Sequence, residues 1–219
     1  MKAQIVAATK PMVDGIFTLE QFIAYAARVS NEENQFNVET APRLLSYLMK
    51  HKHWSPFEMA NVVMEIECPR DIARQILRHR SFAFQEFSQR YAEVNEDMFT
   101  FREARMQDDK NRQNSLPCES IGLYSGWLHN QGKAKDAAVA AYKWAIEQGI
   151  AKEQARAVLP EGMTMSRMYM NGTIRSWLHY VELRSGPETQ KEHRDIALMC
   201  GKELERVIPT LMKSIEGVI

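Results

Sequence analysis

NVVMEIECPRDIARQILRHR, residues 61–80, changes its period half-way along, and that change sets the fold class. Val62, Met64 and Ile66 alternate with Glu65 and Glu67, the two-residue period of a strand with one solvated face. From Pro69 the period lengthens. A proline at a helix start, followed by Arg70, Arg74 and Arg78 at i, i+4 and i+8, predicts a helix to about His79 with three arginines on one stripe. Upstream, Thr18 and Gln21 stand as a capping box around Leu19, Phe22, Ile23, Ala26 and Ala27, so 18–30 reads as a helix. A second helix covers 40–50 with Pro42 in its first turn, and 53–58 (HWSPFE) reads as a loop. Further on, helices are predicted near 135–148 and 151–159, the latter stopped by Pro160, and a strand over 163–170. A helix from Thr173 carries Ile174, Trp177, Leu178 and Val181. A last long helix runs over 188–216, kinked at Pro209. The regular strand–helix alternation of a doubly wound sheet is missing. The expected class is therefore α+β: a helix-rich single domain over residues 1–219 with a small mixed or antiparallel sheet, not a Rossmann fold. The polar segment 108–119 is the expected loop between its halves.

The chain has 219 residues, 45% of them apolar and 26% charged. That length buries about 70% of the unfolded surface without a disulfide or metal staple. The longest run free of Asp, Glu, Lys and Arg, residues 120–132, is too short and too polar to span a bilayer. Cys68, Cys118 and Cys200 make no CxxC pair, which points to a reduced, cytoplasmic protein. Lysines plus arginines equal acidic residues, 28 each, so a general polyanion binder is disfavoured. The basic residues are nonetheless segregated. Between Lys52 and Lys110 there are seven arginines and no lysine, and between Lys152 and Lys191 there are four: Arg156, Arg167, Arg175 and Arg184. Arginine offers a planar fork that grips phosphate or carboxylate in two places, which lysine cannot do.

Several chemistries are excluded by motif. There is no GxG, hence neither a dinucleotide fingerprint nor a P-loop. There is no HExxH, no Cys/His quartet and no GxSxG elbow, so no metal is expected. The densest signal is QILRHRSFAFQEFSQRY, residues 75–91. Arg78, Arg80 and Arg90 surround Phe82, Phe84 and Phe87, with Glu86 and Ser88 as polar groups. This combination describes a pocket for a flat anion such as a nucleotide. It also fits a single-stranded nucleic-acid platform, in which aromatics stack on bases.

Arg78-His79-Arg80, seven residues and then Ser88 resembles the signature of the flavin-dependent thymidylate synthases. HWSPFE (53–58), SQRY (88–91), RAVLP (156–160) and TIRSWLHYVELR (173–184) resemble that family's other segments in the same order, over nearly the whole chain. Gln85 stands where an asparagine is common, as does Thr173, and the match after Pro160 needs a one-residue length change. The resemblance implies a homotetramer with active sites between subunits, making dTMP from dUMP. Methylenetetrahydrofolate would be the carbon donor, and NADPH the reductant acting through FAD. Nucleic acid and membrane are not implied as partners. It assigns FAD contacts to Ser55, Arg78, His79, Arg80, Glu86, Thr173, Ile174, Arg175 and His179, with His53 beside the flavin. It assigns dUMP contacts to Gln75, Ile76, Leu77, Arg78, Glu86, Phe87, Ser88, Gln89, Arg90, Arg156 and Arg184.

C5 of uracil is a poor nucleophile until electron density is pushed onto it. Cysteine-dependent synthases do so by adding a thiolate at C6. Cys118 lies in Leu-Pro-Cys, but the rest of that enzyme's pattern does not follow, so it reads as a loop thiol. Activation is then expected to be electrostatic, with Arg184 as the catalytic residue stabilising negative charge on the ring. Ser88, with no general base at a readable spacing, is assigned to hydrogen-bonding dUMP.

Overall fold

The computed structural model describes residues 1–215. Its strands are β1 (Lys2–Ala8), β2 (Asn61–Pro69), β3 (Ala83–Glu86), β4 (Arg105–Gln107), β5 (Ser115–Pro117) and β6 (Met165–Thr173). Its helices are α1 (Leu19–Ala27), α2 (Ala41–Lys50), α3 (Arg70–Ile76), α4 (Ile121–Glu147), α5 (Lys152–Ala155), α6 (Ile174–Arg184), α7 (Lys191–Glu205) and α8 (Pro209–Met212). One sheet has the order β1-β2-β6-β3, and β4 pairs with β5 antiparallel. The class is α+β, helix-rich with small antiparallel sheets.

The residues form two compact units: unit 1 is 1–66, 77–85 and 169–215, and unit 2 is 67–76 and 86–168. The chain therefore passes from one to the other within β2, after α3, within β3 and within β6. The segment 108–119 is not such a crossing: it lies inside unit 2 and supplies β5.

In unit 1, α1 begins as the sequence dictates. Thr18 Oγ1 accepts from the Gln21 amide at 3.1 Å, and Gln21 Oε1 accepts from the Thr18 amide at 3.1 Å. Val62, Met64 and Ile66 of β2 are fully buried, and Trp177 Nε1 donates to the Val62 carbonyl at 3.0 Å. Thr173 caps α6 through its hydroxyl, which accepts from the Ser176 amide at 3.2 Å. Gly172 lies under the Phe82 ring, where a Cβ would come within 2.4 Å of ring carbons.

Pro209 does not kink a continuous helix. α7 ends at Glu205, and the chain restarts at Pro209 as the first residues of α8. The buried Glu20 carboxylate takes up the new amides, accepting from Thr210 N at 2.7 Å and Leu211 N at 3.1 Å. The expected end at Glu216 lies outside the described residues.

Unit 2 holds a second cluster, Val94, Tyr142, Ala145, Ala155 and Leu159, with Met98, Phe99 and Ile146 against it. Here α4 starts at Ile121, well before the expected Lys135, while the 151–159 helix shrinks to α5 and a 3-10 turn over Arg156–Val158. Among the described residues no helix is long and apolar enough to cross a membrane.

Candidate active site

α6 carries the first candidate site, which lies wholly in unit 1. A pocket of about 570 Å³ is lined by Trp54, Glu58, Ser81, Thr173, Arg175, Ser176, His179 and Glu182. The N-cap Thr173 and the first-turn residues Arg175 and Ser176 supply three of these residues, so the start of α6 forms part of the pocket wall. The Ile174 and Ser176 amides are already taken, by the Ala60 carbonyl and the Thr173 hydroxyl, so what favours an anion there is the positive end of the helix dipole. Hydroxyls add to the donor set: Thr173 Oγ1 lies 3.2 Å from Ser176 Oγ, which donates to the Ser81 carbonyl at 3.4 Å. Arg175 pairs with Glu58, both about half exposed. With Trp54 as an aromatic wall, this set suits a cofactor that joins a flat ring to a diphosphate.

Behind the pocket, α6 ends at Arg184, and the chain between α3 and β3 brings His79 to it. Arg184 Nε donates to His79 Nε2 at 2.9 Å. That geometry requires an unprotonated Nε2. Burial, together with the Arg184 guanidinium and His179, holds the His79 imidazole down at about 4. The His79 ring meets Tyr180 edge-on at 4.9 Å, and the Tyr180 hydroxyl lies 3.2 Å from Nε2 of the fully buried His193. Burial, then Arg184 and His79, depress His193 to about 3. Arg184 is thus anchored on a neutral imidazole acceptor rather than on a carboxylate.

The second candidate site lies wholly in unit 2. A pocket of about 540 Å³ is lined by Arg70, Arg74, Gln89, Glu153, Arg156, Ala157, Leu159 and Glu161. Glu86, at the end of β3, is the anchor of the arginines. Arg74 Nη2 donates to its two oxygens at 3.0 and 2.9 Å, Ser166 Oγ donates to Oε1 at 2.8 Å, and Arg70 Nη1 stands 3.7 Å away. Arg90 pairs with Glu153 at 3.2 Å, and Arg156 Nε donates to the Glu153 carbonyl at 3.3 Å.

The residues expected for FAD fall in unit 1, Glu86 excepted. Those expected for dUMP fall in unit 2 except Leu77, Arg78 and Arg184. Thr173, Arg175 and His179 line the first pocket; Gln89 and Arg156 line the second. His53 and Ser55 are exposed on the chain leading to and opening the 3-10 turn Ser55–Glu58. Arg78 and Arg80 are exposed beyond the end of α3, which stops at Ile76, so Arg78 is not on the helical stripe. Ile76 and Ile174 are fully buried core side chains, and the Ile174 amide is taken by the Ala60 carbonyl at 2.9 Å. Gln75 and Leu77 are half-buried. Ser88 and Phe87 are also half-buried, with Ser88 Oγ accepting from the Arg90 amide at 3.3 Å and the Phe87 amide donating to the Arg167 carbonyl at 2.8 Å.

The aromatic run does not form a stacking platform. Phe82 is buried edge-on against Trp177 at 4.8 Å, and Phe84 is half-buried. Sequence reasoning gave no role to Arg70, Arg74, Glu58 or Ser176. The arginine stripe was the signal for the first two. Glu58 and Arg175 are 117 positions apart, and no local pattern links them.

Among proteins of known family, residues 14–210 match the model of the thymidylate synthase complementing protein family. A probable flavin-dependent thymidylate synthase of Paramecium bursaria Chlorella virus 1 is 49% identical over 218 residues, covering 100% of both chains. A flavin-dependent thymidylate synthase of Synechocystis sp. is 42% identical over 221 residues, covering 99% of this chain and 100% of that one. The crystal structure of the UMP/dUMP methylase PolB from Streptomyces cacaoi shares the fold. Its TM-score is 0.83 at 24% identity, over 100% of this chain and 96% of that one. With a family match over most of its length and full-length relatives well above 30% identity, the chain belongs to the thymidylate synthase complementing proteins, the family of the flavin-dependent thymidylate synthases.

Proposed function

We propose that this enzyme converts dUMP to dTMP. The carbon comes from the methylene group of methylenetetrahydrofolate, and NADPH supplies the reducing equivalents through FAD. The observation that carries the reading is Arg184, a guanidinium held by a neutral imidazole rather than a carboxylate. Its charge is left for a substrate that becomes anionic as it reacts.

The first pocket fits FAD by its donor set. Arg175, the hydroxyls of Thr173 and Ser176 and the positive end of the α6 dipole would take the diphosphate, and Trp54 would flank a ring. Ser55, Arg78, His79, Arg80, Ile174, His179 and Glu86 complete the proposed FAD set, with His53 beside the flavin. When bound, FAD supplies two-electron reducing chemistry that no side chain provides. Arg90 and Arg156 hold the phosphate of dUMP, and Gln75, Ile76, Leu77, Arg78, Glu86, Phe87, Ser88 and Gln89 complete its contacts.

Arg184 faces the uracil edge. Loss of the N3 proton spreads negative charge over the ring and raises electron density at C5, and the guanidinium stabilises that charge. A thiolate is not needed. The Cys68 thiol is pushed up to about 12 by burial first and by Glu86 and Asp71 next, and Cys200 is fully buried. C5 then bonds to the methylene carbon, loss of the C5 proton expels tetrahydrofolate and leaves an exocyclic methylene, and a hydride equivalent originating from NADPH would convert it to methyl as N3 regains a proton.

We further propose one family domain over residues 1–219, assembled as a homotetramer in the cytoplasm. Apolar side chains left open on α4, with Ile121 84% and Trp144 59% exposed, support association. The purified protein should be yellow and carry about one FAD per chain. It should form dTMP only when methylenetetrahydrofolate and NADPH are both present, and scatter light as a tetramer. A colourless protein that takes up no flavin on titration contradicts the reading.

A further inference from the structure

Arg70 opens α3, and its backbone N–H donates a hydrogen bond to the Thr164 carbonyl at 2.9 Å. Its side chain is turned inward, leaving the residue only 7% exposed, unusual for an arginine. The charged group it leans on is already occupied. Both oxygens of Glu86 accept from Arg74, and Ser166 adds a third bond. Arg70 Nη1 stays at 3.7 Å from Glu86, and its Nε at 3.9 Å from Glu161, too far for hydrogen bonds. Nη1 is buried without an acceptor. On the same pocket wall the Nε2 of Gln89, a residue 4% exposed, is also buried without one. Leaving buried donors unmet is costly, most of all on a charged group. Burial also lowers the Arg70 pKa from the usual arginine value, so its surroundings disfavour the charge that an anion would favour.

We propose that Arg70 and Gln89 are phosphate-binding residues of the nucleotide site: Arg70 Nη1 and Gln89 Nε2 donate to separate oxygens of the substrate's phosphomonoester. This rests on the reading of dUMP as substrate, and adds to it a guanidinium that the family resemblance does not assign. A phosphomonoester suits the wall because it brings several acceptors on one centre, and Arg74 and Arg156 line the same space. Glu86 holds Arg70 by charge without consuming its donor, so little reorganisation is needed when the ligand arrives. The carboxylate edge of the pocket is partly answered from within, since Glu153 is paired with Arg90.

The test uses the full-length, FAD-loaded enzyme and calorimetric titration with dUMP and with deoxyuridine, which lacks the phosphate. Arg70→Gln should weaken dUMP about 30-fold, and Gln89→Leu about 5-fold. Both should leave deoxyuridine affinity unchanged. Inorganic phosphate should compete with dUMP on the unmutated enzyme and less well on Arg70→Gln. Unchanged dUMP affinity in both variants, or an equal loss for deoxyuridine, overturns the proposal. If Arg70→Gln does not fold, Gln89→Leu decides by the same comparison. An unmutated enzyme that binds dUMP no better than deoxyuridine has no phosphate site, and the inference fails while the flavoenzyme reading stands. One that takes up FAD but binds neither nucleotide removes the dUMP reading as well.

Discussion

The pocket at the start of α6 and the arginine pocket of unit 2 have similar volumes, about 570 and about 540 Å³, and differ in what their polar groups have already done. In the first, the donors satisfy one another: Thr173 caps Ser176, Ser176 reaches Ser81, and Arg175 pairs with Glu58 at the surface. Water screens that ion pair, so trading it for a ligand costs little. In the second, the buried Arg70 and the more open Arg74 share the largely buried Glu86 carboxylate, and two buried donors, on Arg70 and Gln89, remain unmet. The same residue type thus serves as a replaceable partner in one place and as a preorganised donor in the other. Burial makes the difference.

The comparison breaks most sharply at the two glutamates. Glu86→Gln removes the counter-charge of two arginines, one of them buried, and should destabilise the protein by about 3 kcal/mol, read as a lower urea midpoint. A loss below about 1 kcal/mol would mean that water reaches the cluster and that the two pockets are alike.

The imidazoles behind Arg184 set the next effect. His193 is depressed from 6.5 to about 3 in the folded protein, so the unfolded chain binds more protons between those values. Stability from this group is therefore present above pH 6.5 and lost as pH falls toward 3, about 2 kcal/mol of it by pH 5. His79, depressed to about 4, acts in the same direction. His193→Phe should flatten this acid limb in thermal melts recorded from pH 7 to pH 4.5. An unaltered limb would show that His193 is not held neutral.

Thr173→Ala should cost about 1 kcal/mol through loss of the α6 cap. It should also weaken FAD in a fluorescence titration, while dUMP binding to the flavin-loaded protein is kept. The smallest expected effect is Glu58→Gln, within about 0.5 kcal/mol, because its ion pair with Arg175 is half exposed. A larger loss would make the α6 pocket as preorganised as its counterpart.

What the sequence revealed was what is decided locally. The Thr18–Gln21 box, the helix start at Thr173 and the alternation in β2 each depend on residues a few positions apart, and each stands in the structure. β1 escaped notice because KAQIVAA has no clean alternation and is mostly open to solvent. The first half of α4 escaped because Ile121, Leu123 and Trp127 are exposed, so the apolar stripe that marks a packed helix is not written there. The arginine stripe on α3 was visible, but spacing cannot say which arginine turns inward; Arg70 is buried and Arg74 is open. Pairs such as Arg184 with His79, 105 positions apart, exist only after folding.

The central claim is that Arg184, held on neutral His79, activates the uracil. It is tested most directly by single-turnover oxidation of the reduced flavin by dUMP and methylenetetrahydrofolate, at saturating dUMP, in Arg184→Lys. Lysine keeps the charge but loses the planar fork, so dUMP should still bind moderately well and FAD should be retained. The rate should fall about 10²–10³-fold, because the loss appears where negative charge on the ring is greatest. A saturated rate equal to that of the unmutated enzyme would contradict the account and move the activating role to Arg78, Arg80 or His79.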